Sequence, residues 1–203
     1  MRWAVLVGGA GTNLQALLAA GCPISLVVSH RAGVKALDIA QEHGVPHAVL
    51  VAGDFASREQ YDAALTALLT DRSIERVAMA GFLRWLTPEF TAQWGGRVLN
   101  LHPSLLPAYR GLHAVERAYR DGVLWSGVTV HFVDEGHDTG PIVAQIPVPR
   151  FARDSLSDFE TRIHDAEHLL YPRVVQAVDQ GEAVLSGGRV TYGGGDLQWM
   201  HGR

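Results

Sequence analysis

In the stretch VLNLHPSLLPAYRG, residues 98–111, two side chains do not suit a buried strand. Val98, Leu99 and Leu101 are apolar, but Asn100 and His102 interrupt them at alternate positions and Pro103 ends the run. Side chains at i and i+2 of a strand share a face, so the amide and the imidazole stand side by side. Both can donate a hydrogen bond to an oxygen that becomes negative during a reaction. One such donor is worth on the order of 3 kcal/mol in rate. The alternative is a satisfied polar pair in the core. Two polar groups on one face at the end of a strand, where open α/β sheets hold their ligands, favour the chemical reading.

A carboxylate to work with the imidazole is found in HFVDEGHDTGP, residues 131–141. Acidic loop residues are commonly just solvated, but Asp138 precedes Thr-Gly-Pro, where the chain turns back into a strand. Held against His102, it would stabilise the imidazolium and raise the histidine pKa, which suits proton transfer near neutral pH. The sequence does not say whether the two meet.

A third candidate is VGGAGTNLQAL, residues 7–17, with glycines between a first strand and a first helix. Such a turn lets the backbone approach an anion at a helix N-terminus. Gly9 and Gly11 start a dinucleotide fingerprint, but Leu14 occupies the place of its third glycine. Ser29-His30-Arg31 stands where a ribose-binding acid is expected. There is no Gly-Lys-Ser/Thr. A small phosphate fits better than NAD or ATP, and a plain tight turn is the other reading. His164 and His168 in HDAEH have i, i+4 metal-ligand spacing, but no third ligand announces itself. Surface histidines on an amphipathic helix are the simpler account.

The elements that must position these residues alternate. Strands are expected at 3–7, 24–29, 47–51, 75–81 and in the RVLNLH run, with helices over 14–21, 33–44 and 57–71 between them. Ser57 and Gln60 form a capping-box pattern. This alternation predicts an α/β fold, a doubly wound, mainly parallel sheet with a Rossmann-like N-terminal half. Strands at 126–133 and 141–149 joined by a short loop predict an antiparallel excursion in the C-terminal half. A long helix follows over about 154–180, capped by Asp154 or Ser155, and then one strand and a flexible Gly-rich tail over 193–203. No repeat or linker marks a second domain: residues 1–192 read as one domain, with 1–100 as a phosphate-binding half and 101–192 as the catalytic half.

Bulk properties agree. The 203 residues are 47% apolar and carry a net charge of −4, enough for a substantial core and too acidic for a nucleic-acid backbone. The single cysteine, Cys22, excludes an internal disulfide and fits a reducing compartment. The first apolar run is too short for a signal peptide or membrane span, so a cytoplasmic protein without membrane association is expected.

Five segments occur in this order: GTNLQAL, AGFLRWLTP, LNLHPSLLPAYRG, GVTVHFVDEGHDTGP and AEHLLYP. Together they resemble the phosphoribosylglycinamide formyltransferase family of folate-dependent enzymes, over about residues 3–180. The most specific pieces, N-x-H-P-S-L-L-P and the D-x-G-P loop, are shared with other 10-formyltetrahydrofolate enzymes. The resemblance implies a catalytic trio of Asn100, His102 and Asp138. It implies a phosphate turn at Gly11, Thr12 and Asn13, and a ribose contact at Glu167. Arg84, Trp85 and Leu86 match the stretch lining the folate pocket. The resemblance further implies that the 134–140 loop, with Glu135, Gly136, His137 and Asp138, closes on the pterin. Arg58 matches a position near the folate glutamate or a dimer surface. The implied ligands are 10-formyltetrahydrofolate as cosubstrate and glycinamide ribonucleotide as acceptor, with no metal, acting in a monomer or homodimer.

Three departures stand out. Thr12 replaces a frequent serine, Trp85 a frequent aliphatic residue, and His164 a frequent glutamine one turn before Glu167; an imidazole still bonds a hydroxyl. Among relatives of the same chemistry, methionyl-tRNA formyltransferase calls for an RNA-binding domain and a basic surface. Formyltetrahydrofolate hydrolase carries an added N-terminal domain, whereas Met1 here lies just before the first strand. Sugar-nucleotide formyltransferases would not require the phosphate turn. A non-catalytic folate- or nucleotide-binding module gains little from the Asn100–His102 pair, and a nicotinamide oxidoreductase lacks its fingerprint.

Overall fold

The computed structural model describes residues 1–193; the tail expected over 193–203 lies, apart from Gly193, outside the described residues. The chain divides into two compact units, Met1–Asn100 and Leu101–Arg203. Its strands make a seven-stranded, mainly parallel sheet and a separate two-stranded sheet, which is the α/β architecture that the alternation of elements predicts.

In the first unit the strands are β1 (Trp3–Val7), β2 (Ile24–Ser29), β3 (His47–Val49), β4 (Arg76–Ala80) and β5 (Val98–His102), the last crossing into the second unit. They are parallel, in the order β3-β2-β1-β4-β5. All five residues of β1 are buried, as the near-continuous apolar run of a central parallel strand requires. Helices α1 (Thr12–Ala19), α2 (Lys35–Glu42), α3 (Arg58–Asp71) and α4 (Pro88–Trp94) connect the strands. Leu14, Leu17, Tyr61, Leu65, Leu69 and Phe90 on these helices are buried. Ser57 caps α3 by accepting the Gln60 N–H at 3.3 Å. The Gln60 side chain accepts from Ala56, one residue before the cap, at 3.1 Å.

Helix α1 begins at Thr12, two residues before the expected start, with Gly11 as its N-terminal flanking residue at φ 79°. A Cβ there would lie 2.7 Å from the Ala36 Cα at the start of α2. Gly11→Ala therefore combines a left-handed backbone, costing about 1–2 kcal/mol, with a steric clash. A clear fall in the urea midpoint is expected; an unchanged midpoint would show that the turn can relax.

The second unit contains α5 (Ala114–Arg120), β6 (Trp125–Phe132), β7 (Ile142–Pro149), α6 (Leu156–Asp179), β8 (Ala183–Ser186) and β9 (Arg189–Tyr192). Strands β6 and β7 pair antiparallel, with a register shift between Val130 and His131 beside the 133–141 connection. Helix α6 packs on both strands. Its cap is Ser155, in a full capping box with Asp158, while Asp154 accepts from Phe151 and Arg162 instead. The single terminal strand expected from the sequence is instead a hairpin, β8 with β9. Gly187 and Gly188, at φ 56° and 76°, supply the two left-handed residues of a tight hairpin turn. No helix among the described residues is long and apolar enough to cross a membrane.

Candidate active site

Strand periodicity puts Asn100 and His102 on one face at the end of β5. Asn100 is half-buried and His102 is 5% exposed. Nε2 of His102 lies 2.9 Å from the Tyr109 carbonyl oxygen. A carbonyl only accepts, so Nε2 carries the hydrogen of the neutral ring, and Nδ1 is the atom that gains a proton. Nδ1 faces the Asp138 carboxylate, 3.4 Å from Oδ2. The other carboxylate oxygen, Oδ1, lies 3.6 Å from Nε2 of His131 on β6. Nδ1 of His131 in turn donates to the Phe132 carbonyl at 2.8 Å. The Gly111 N–H donates to Oδ2 of Asp138 at 2.9 Å. One carboxylate thus sits between two imidazoles, and the 109–111 loop holds both His102 and Asp138 through its backbone.

Sequence reasoning passed over His131. The signal was present, since a histidine on an otherwise apolar strand must find polar partners. Asp138 adopts φ 52°, a left-handed conformation that aspartate tolerates better than most residues. The loop before it is tied by Asp134, which accepts from the Gly136 N–H at 3.0 Å and the Thr139 hydroxyl at 2.8 Å. Glu135, Gly136 and His137 are exposed on this loop.

Burial pushes the Asp138 carboxyl up. The His131 bond, the Gly111 N–H and the histidine charges outweigh it and hold the pKa at about 2. For His102 the balance runs the other way. Burial lowers its pKa and prevails over the raising influence of Asp138 and the Tyr109 bond, while His131 and Arg117 add to the lowering. The expectation that Asp138 would lift the histidine pKa is corrected: Asp138 acts in that direction, but the cost of desolvating an imidazolium is larger. At neutral pH the pair is a carboxylate beside a neutral imidazole whose Nδ1 is ready to take a proton.

The segment between His102 and α5 is anchored to the β6–β7 hairpin by Thr129. Its hydroxyl donates to the Ser104 carbonyl at 2.7 Å and accepts from the Leu106 N–H and the Gln145 amide. Thr129 and Ser104 are buried, so the segment that leads to Tyr109 and Gly111 is tied to the hairpin by a bonded hydroxyl.

In the first unit, Thr12 and Asn13 form the first turn of α1 after Gly11, with no side-chain cap. The first N–H groups of a helix have no partner within it and suit an anion. His30 packs its ring edge-on against Phe82, with centroids 4.9 Å apart, and bonds the Val7 carbonyl at 3.1 Å. On the segment before α4, Arg84 is half-buried, Trp85 is 39% exposed and Leu86 is half-buried. The Arg84 guanidinium lies over the Tyr61 ring at 4.4 Å. Arg58 is exposed in the first turn of α3. In the second unit, the buried Glu167 on α6 is paired with the more exposed His164 at 3.0 Å. That contact raises the His164 pKa against the effect of burial. The His164 and His168 rings stack with centroids 6.4 Å apart. Among the described residues no group of three or more His, Cys, Asp or Glu side chains is placed to hold a metal ion.

Comparison with known proteins adds independent support. Residues 1–175 match the formyl transferase family. The chain is 44% identical over 193 residues to the Drosophila melanogaster trifunctional purine biosynthetic protein adenosine-3, covering 91% of this chain but only 14% of that protein's length. It is 38% identical to the Haemophilus influenzae phosphoribosylglycinamide formyltransferase, covering 90% of this chain and 89% of that one. The solved glycinamide ribonucleotide transformylase 1 of Symbiobacterium toebii is 37% identical and superposes with a TM-score of 0.90 over 95% of this chain and 93% of that one. The chain belongs to the phosphoribosylglycinamide formyltransferase family of formyl transferases.

Proposed function

We propose that the chain transfers the formyl group of 10-formyltetrahydrofolate to the amine of glycinamide ribonucleotide in the cytoplasm. The observation that carries the mechanism is Asp138 facing Nδ1 of a buried, neutral His102, two residues along β5 from Asn100. The acceptor's phosphate binds the first-turn amides at Gly11–Asn13, and Glu167 with His164 bonds its ribose. Arg84, Trp85 and Leu86 line the folate pocket, with Arg58 near the glutamate and the 134–140 loop over the pterin. Holding the two substrates together removes much of the entropic barrier.

The amine nitrogen attacks the formyl carbon, and the carbonyl electrons move onto oxygen. The Asn100 amide donates to that oxyanion. His102 takes a proton at Nδ1, where Asp138 stabilises the imidazolium, and the positive ring steadies the oxyanion in turn. The carbon–N10 bond then breaks, and the proton lost by the amine reaches N10 through the His102–Asp138 pair. The formyl group is already activated by its arylamine, so the chemistry calls for no metal.

The deciding assay follows loss of the formyl group by absorbance, with and without glycinamide ribonucleotide. Transfer only with the nucleotide is expected. Formate release without it would make the protein a hydrolase, and silence in both from folded protein would remove the purine assignment. Glu167→Gln exchanges a charge-assisted contact for a neutral one, which raises the acceptor KM roughly tenfold with little change in kcat. An unchanged KM would remove Glu167 from the ribose site.

A further inference from the structure

The 109–111 loop holds both reacting groups through its backbone, yet its own conformation is unfavourable. Tyr109 is left-handed at φ 54°, a conformation that costs a tyrosine but not the glycine at Gly111, φ 77°. Non-glycine residues in that region persist only where their surroundings enforce it. Besides the bonds to His102 and Asp138, and that of the Tyr109 hydroxyl with Asp121, a contact on the loop comes from α5. Arg117 reaches back from its helix, and its terminal nitrogen donates to the Arg110 carbonyl, the residue between Tyr109 and Gly111. Its guanidinium carbon lies 5.8 Å from the centroid of the Tyr109 ring, within the range of a cation–π contact. Its Nε is buried and has no hydrogen-bond partner among the described residues. Among them it also forms no ion pair, although its charge reaches the neighbouring Glu116 carboxylate and lowers that group's pKa.

We propose that Arg117 is a positioning residue of the formyl-transfer site, clamping the 109–111 loop so that Tyr109 holds His102 and Gly111 holds Asp138. This rests on the formyl-transfer reading of the same site. The clamp acts at one remove from the chemistry. The Tyr109 carbonyl fixes which nitrogen of His102 is protonated, and the Gly111 N–H fixes which oxygen of Asp138 faces that ring. The charge of Arg117 has a second effect. Three charged or titratable groups face His102: Asp138 from the 133–141 connection, His131 from β6 and Arg117 from α5. Asp138 favours the imidazolium; Arg117 opposes it and keeps the ring available as a base.

Two variants separate this role from simple structural support. Arg117→Leu removes both clamp and charge, whereas Arg117→Lys keeps the charge and a single donor. The His102 ring is titrated by NMR in the full-length protein, and the pH profile of kcat/KM is measured for each variant. For Arg117→Leu, kcat falls by on the order of 10- to 100-fold, as loss of alignment near a reacting centre does. Its His102 titration and the acid limb of the profile move to higher pH. Arg117→Lys keeps the wild-type limb and recovers part of kcat. A folded Arg117→Leu with unmoved titration and normal kcat would overturn the proposal, as would Arg117→Lys falling together with the leucine variant. If Arg117→Leu fails to fold, the lysine variant's titration and kcat decide alone. Because the titration needs no turnover, it reports on the coupling of Arg117 to His102 even if wild-type protein transfers no formyl group, an outcome that would remove the activity and leave that coupling standing.

Discussion

Asn100→Ala lowers kcat by roughly two orders of magnitude or more while leaving both substrate KM values within a few-fold. The reason is the timing of the interaction. In the proposed mechanism the amide donates most strongly when the formyl oxygen carries negative charge, so its loss raises the barrier and barely changes ground-state binding. Asn100 is half-buried at the end of β5, so truncation opens little of the core and the variant should fold. Circular dichroism and a thermal melt check that before kinetics are compared. Asn100→Asp makes a sharper comparison. It keeps the shape but sets a carboxylate against the developing oxyanion, and kcat should fall at least as far. A folded Asn100→Ala protein with near-normal kcat would remove the oxyanion role.

Asp138→Asn is expected to cost about 10²- to 10⁴-fold in kcat, the range for loss of a positioned acid–base partner. Asparagine tolerates the left-handed backbone of position 138, so the loop should hold its path. His102 then loses the one anion that favours its protonated form, and the acid limb of the kcat/KM profile moves to lower pH. The same change alters acid stability. The Asp138 pKa is lowered from 3.8 to about 2, so its contribution is complete above pH 4 and is lost as pH falls through about 2. By linkage this is worth about 2 kcal/mol. The His102 pKa is also lowered, so folding weakens as pH falls below the ordinary histidine range. His164 works the other way, its raised pKa stabilising the fold below that range and fading as pH rises through it. Urea midpoints taken from pH 7 down to pH 2 should show a fall below pH 4 in the wild type that is absent from Asp138→Asn. Parallel curves for the two proteins would mean that the carboxylate is not held by its neighbours in solution.

Local pattern determined much of this protein. Apolar runs alternating with helical periods identify the parallel half, because burial on both faces of a sheet leaves a continuous apolar run readable over a few residues. The glycines before α1 and the shared face of Asn100 and His102 are local too, as is a cap at Asp154 or Ser155, between which the structure chose Ser155. Short elements were harder to read. Helices α4 and α5 have seven residues each, too few for the apolar period to repeat, although Thr87-Pro88 carries a helix-start signal. Only the tertiary structure decided the partners of the candidate catalytic groups. Asp138 reaches His102 from 36 positions away in sequence, and His131 joins them from a strand where alternation says only that it is buried. Arg117 reaches the loop from another helix. The sign of the His102 pKa shift was decided there as well. It is set by the competition between burial and the charge of Asp138, and both depend on which atoms surround the ring in space rather than on what precedes it in the chain.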